Sequence, residues 1–111
     1  MRNEYGAKLD KNLYAPSIMT WPDDVCAICG KMGELVRHEV FHGALYRERS
    51  KMYGCWVNLC PECHMHLHNK DSSLDKGLKR IVQAKAMQKY GWNIADFRLR
   101  FGKNYLGVDD E

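Results

Sequence analysis

Two Cys-x-x-Cys pairs, Cys26-Ala-Ile-Cys29 and Cys60-Pro-Glu-Cys63, constrain this chain more than any other feature. Zinc takes four thiolates at tetrahedral corners, and a two-residue spacer lets both sulfurs of a pair face one point. Thirty residues lie between Cys29 and Cys60, enough for a hairpin. A knuckle, a hairpin and a helix bearing the last ligand describe a treble-clef finger. The expected fold class is therefore α+β, built on structural Zn2+ held by Cys26, Cys29, Cys60 and Cys63. The chain has 111 residues and five cysteines, and an odd number rules out complete intramolecular disulfide pairing. In a reducing compartment such pairs read as metal ligands. Cys55, beside Trp56, is expected to be a small buried side chain and not a fifth ligand. A core of this size is thin, and a metal supplements it.

The second pair runs straight into His64-Met-His-Leu-His68. Pro61 suits the first turn of a helix, and residues four apart on a helix share a face. His64 and His68 thus form a second ligand pair, aimed away from the thiolates. His66 falls off that face and is expected in solvent.

The remaining pattern divides the chain into an extension at 1–24, a core at 25–70 and a C-terminal helical extension at 71–111. In the extension, Tyr5, Leu9, Leu13, Tyr14, Ile18 and Trp21 are apolar, but Pro16 and Pro22 break any long helix. A short helix or turn, then an irregular strap packed on the domain, is expected. Leu35 to Phe41 reads as a short strand, Tyr46 to Tyr53 as a loop or short helix, and Cys55 to Leu59 as a second strand. The helix after Pro61 is expected to run from Cys63 to about His68. Asp71-Ser-Ser73 is a helix start. Leu74, Leu78, Ile81 and Val82 then recur with helical spacing, continued by Ala86 and Tyr90 and stopped at Gly91. Ile94, Phe97 and Phe101 predict one more short helix closed by Gly102, and Asp109–Glu111 is expected to fray.

The formal charge of +3 permits a nucleic-acid partner without demanding one. No apolar run reaches membrane-spanning length, and the start has no signal-peptide core. A cytoplasmic chain with no membrane partner is expected.

From Cys26 to Asn69 the chain resembles the HNH endonucleases, the ββα-metal or His-Me finger superfamily. The likeness is greatest to small phage and prophage members. The residues that carry it are His38-Glu-Val-Phe41, Gly43, Arg47, Ser50, Tyr53-Gly54 and Leu59-Cys-Pro-Glu-Cys-His64, together with the tail Phe101-Gly-Lys-Asn-Tyr-Leu106. The resemblance implies hydrolysis of DNA phosphodiester bonds in a bacterial or phage-infected cell. It implies one catalytic divalent cation (Mg2+, Mn2+ or Ni2+) held by His64 and His68, a strand histidine, His38, as general base, and Arg47 on phosphate. An imidazole titrates near neutral pH, as a base should.

Two alignments of the strand remain open. Through Phe41 and Gly43 the paired strand residues are His38 and Glu39; on a base followed by an acid they are Arg37 and His38. His38 belongs to the site in both, as base or as ligand, and the base role is the first expectation. The motif's central Asn falls near Gly54 or Cys55, and Asn58 is out of register. His42 is ambiguous between a site residue and a bystander. Arg49 and Lys51 read equally as phosphate contacts or as part of a solvated loop, and the lysines of the long helix read by default as solvated. The rival reading is a non-catalytic treble-clef module that binds DNA or a protein partner.

Overall fold

The computed structural model of the chain describes residues 1–19, 24–69 and 72–106. It is a mixed α+β structure: a two-stranded antiparallel sheet and four helices. The elements are β1 (Val36–Glu39), α1 (Ala44–Met52), β2 (Trp56–Leu59), α2 (Pro61–Asn69), α3 (Ser72–Tyr90) and α4 (Ile94–Phe101). The expectations for Trp21, Pro22, Asp71 and Asp109–Glu111 lie outside the described residues. Among the described residues no helix is long and apolar enough to cross a membrane.

The hairpin register pairs Val36 with Leu59, Arg37 with Asn58, His38 with Val57 and Glu39 with Trp56. Strand alternation therefore gives His38 one side of β1, and Arg37 and Glu39 the other. The ladder is shorter than the alternating run from Leu35 to Phe41, and Ser50 on α1 supplies the reason. Its hydroxyl donates to the Phe41 carbonyl at 2.9 Å and accepts from the Phe41 N–H at 3.1 Å. A side chain thus completes the backbone pairing of a buried residue that has left the sheet. The segment read as a loop or short helix is helical for nine residues.

Phe41 is the hub of the core. It meets Phe97 edge-on at 5.1 Å and Phe101 at 4.6 Å between ring centroids, distances at which aromatic pairs attract beyond simple burial. Val82 and Ala86 of α3 and Leu59 of β2 are fully buried in the same cluster. Leu78 joins them, whereas Ile81 lies about half exposed, so the buried stripe of α3 is narrower than the sequence pattern. α4 opens on a capping box, in which Asn93 and Asp96 satisfy each other's backbone N–H. Beyond it, buried Gln83 ties down the tail: it donates to Asn104 and accepts from the Tyr105 N–H, both at 2.7 Å.

Among its described residues the N-terminal segment is a strap, and the short helix expected there is not formed. Ala15 and Ile18 are buried, and their N–H groups bond the Lys51 and Gly54 carbonyls. Trp56 Nε1 donates to the Ala15 carbonyl at 2.7 Å. The close approach depends on Gly54, which has φ 72°, and any Cβ there would collide with the Pro16 carbonyl.

Candidate metal centres

Cys60 begins the first centre. Its carbonyl accepts the first helical bond of α2, from His64 N–H at 3.0 Å, and its Sγ accepts from Cys63 N–H at 3.4 Å. A sulfur thus acts as the helix cap, at the positive end of the helix, where a thiolate is favoured. The knuckle repeats the device: Cys26 Sγ accepts from Ile28 N–H at 3.4 Å, and the turn closes through Gly30 N–H to the Cys26 carbonyl. Desolvation works against a charged Cys26, but backbone N–H groups outweigh it and hold the thiol below its ordinary range.

The four sulfurs of Cys26, Cys29, Cys60 and Cys63 lie within 4.8 Å of one another. A tetrahedron with Zn–S bonds of about 2.3 Å has edges of about 3.8 Å, and Cys29 Sγ stands 3.8 Å from Cys60 Sγ. This donor set fits a structural zinc ion. Cys55 lies outside the cluster, fully buried, and burial pushes its thiol up.

The second centre begins one residue later. α2 buries Leu67 and turns His64 and His68 towards β1. Their Nε2 atoms are 3.2 Å apart. Metal–nitrogen bonds of about 2.1 Å place neighbouring ligands about 3–3.4 Å apart. His38 meets them from the strand, its ring centroid 5.3 Å from His64 and 5.4 Å from His68. Ligand atoms of the three residues lie within 4.8 Å of one another. His38 is 3% exposed, and its Nε2 is buried without a hydrogen-bond partner. Burial first, then the neighbouring histidines, push its imidazole down to about 3. Burial and His68 lower His64 as well. Neutral imidazole is the form that binds a metal.

The three histidines line a cleft of about 210 Å³ with Arg37, Glu39, His42 and Arg47. Glu39 accepts from Tyr14 O–H at 2.5 Å through Oε2, and faces Arg47 Nε at 3.6 Å through Oε1. Arg37 stacks 4.3 Å from the ring centres of both Tyr14 and Trp56, and Asp10 lies 3.5 Å from its guanidinium. The strap therefore contributes Tyr14 and Asp10 to the rim. Every sequence-predicted site residue falls into one of the two centres or onto this rim.

His42, ambiguous in the sequence, lines the cleft, and Asp75 of α3, which no motif marks, stands behind it. His42 Nε2 and Asp75 Oδ1 are 3.6 Å apart. The sequence signal for Asp75 was its place in the first turn of α3, after a helix carrying two ligands. His66 is exposed, as its position off the 64/68 face predicts. No protein-family model matches this chain, and neither the curated proteins nor the solved structures give a match.

Proposed function

We propose that the chain is a zinc-stabilised treble-clef nuclease of the HNH type, hydrolysing phosphodiester bonds of DNA. The observation that carries this reading is the convergence of His38, His64 and His68 in an open cleft rimmed by arginines. A divalent cation held there supplies Lewis-acid stabilisation of the charge that develops on a phosphodiester. The depth of the His38 ring and its unpartnered Nε2 favour its holding the cation over its activating water. The base is then Glu39, the next strand residue, whose carboxylate accepts the proton of an attacking water. Tyr14 orients that carboxylate through its O–H. Arg47 is 59% exposed in its side chain and draws a phosphate towards the cleft, a contact that positions the backbone without reading sequence.

A second reading, a non-catalytic zinc module that binds DNA or a protein, draws on two features. Asn58 sits on the strand opposite Arg37 and not at the motif's position, and both carboxylate oxygens of Glu39 already have partners.

Incubation of supercoiled plasmid with the zinc-loaded chain and Mg2+, Mn2+ or Ni2+ separates the two. Cleavage that needs the added ion and falls by about a hundredfold or more in His38→Gln and Glu39→Gln supports the nuclease; effects of this size are usual for positioned acid–base groups. Binding of DNA with no cleavage under any ion, or cleavage undiminished in both variants, removes it.

A further inference from the structure

Among the described residues, four buried side-chain nitrogen or oxygen atoms have no hydrogen-bond partner. Three of them, His38 Nε2, His42 Nε2 and Asp75 Oδ1, belong to one cluster. Ligand atoms of His38, His42 and Asp75 lie within 4.8 Å of one another. A buried polar atom left unpaired destabilises the fold, so three together call for a shared partner. Pairing between the side chains does not provide it, because 3.6 Å between His42 and Asp75 is too long for a hydrogen bond.

We propose that His38, His42 and Asp75 form a second divalent-cation position behind the His38/His64/His68 one. Two imidazoles and a carboxylate suit Mn2+, Fe2+ or Zn2+, whereas Mg2+ prefers an all-oxygen shell. The His42 and Asp75 side chains are 28% and 18% exposed, so the position is sheltered and retains room for water ligands. His38 is common to both triads, and its unpartnered Nε2 has one lone pair, so an ion at one position takes that ligand from the other. Lys79 opposes the site. Its Nζ lies 2.9 Å from Asp75 Oδ2, which neutralises one carboxylate oxygen and leaves Oδ1 for the ion. The inference stands apart from the phosphodiester reading, since it concerns ion binding alone.

The test is titration of the zinc-loaded chain with Mn2+, reading the free-ion electron paramagnetic resonance signal. Zinc content and circular dichroism confirm that each variant is folded. The His64→Ala/His68→Ala double variant removes the outer pair and is expected still to bind one Mn2+. Adding Asp75→Asn or His42→Gln to it should weaken that binding by about tenfold or more, and adding Lys79→Met should tighten it, since the first two remove a ligand and the last a competing charge. A double variant that binds no Mn2+, or whose affinity is unmoved by both Asp75→Asn and His42→Gln, overturns the proposal. Plasmid cleavage is scored separately, so a chain that cuts nothing but holds Mn2+ through Asp75 refutes the nuclease and not this site.

Discussion

The thiol cluster and the histidine cleft meet on one helix, at the adjacent residues Cys63 and His64, yet they are built in opposite ways. The cysteines come from two local turns, each sulfur pair set by two intervening residues. Backbone N–H groups already point at Cys26 and Cys60. The cleft draws on β1, the turn after it, α2 and α3, and its imidazoles include nitrogens with no partner. A locally made, internally satisfied centre is suited to hold a fold together. A centre assembled from distant segments, with polar atoms left over, is suited to hold something else. The first also positions the second, because the sulfur-capped turn at Cys60 fixes where α2 begins and so where His64 and His68 point.

The largest expected effect tests that dependence. Cys60→Ala removes one ligand and the cap of α2 together. Structural zinc is worth about 10–16 kcal/mol in small zinc domains, more than the total stability of most domains. The variant should lose cooperative unfolding by circular dichroism, and ligation at the histidines should go with it. The reverse dependence should be absent. His68 is exposed, so His68→Ala should change stability by no more than about 0.5 kcal/mol in urea unfolding while lowering metal-dependent cleavage by orders of magnitude. A His68→Ala variant that unfolds would make the cleft as structural as the thiol cluster.

Acid sharpens the contrast at His38. Its folded-state value is lowered from 6.5 to about 3, so the unfolded chain binds the proton more tightly. The contribution is complete above pH 6.5 and is lost as pH falls towards about 3. Urea midpoints measured between pH 7 and 5 should fall less steeply in His38→Gln than in the parent chain.

The smallest effect is expected at the rim. Burial first, then the Glu39 carboxylate, raise Tyr14 to about 12, so the folded chain keeps the phenol proton longer than the unfolded one. That contribution is present below pH 10 and is lost as pH rises through about 12. Tyr14→Phe should flatten this alkaline loss and reduce cleavage only several-fold, read as initial plasmid-nicking rates. An unchanged alkaline profile would detach the strap from the site.

How much of this was legible in the sequence follows the same division. The α+β class, the thiol cluster and the His64/His68 face depend on short spacings, and spacing is what a sequence displays. The hairpin was legible because β-branched and apolar residues flank the cysteines, although its ends were not: the partner that takes Phe41 out of the ladder is a hydroxyl nine residues away. His42, Asp75 and Tyr14 were harder to find, since each reaches the cleft from a different element and none stands in a spaced motif. Ile81 misled the reading of α3 because helical periodicity marks a face without giving the width that its neighbours cover.

The paired bonds of Ser50 to Phe41 carry a further consequence. One hydroxyl pairs both backbone groups of Phe41, as a neighbouring strand otherwise would, just past the end of the sheet and beside the aromatic hub. A chain leaving that bond is free to turn at once, and the turn it makes carries His42 into the cleft. Had another strand closed the sheet instead, the pairing would have run on past Phe41 and held the backbone straight where it now bends. The smallness of the sheet is thus what brings the fourth histidine within reach of the other three.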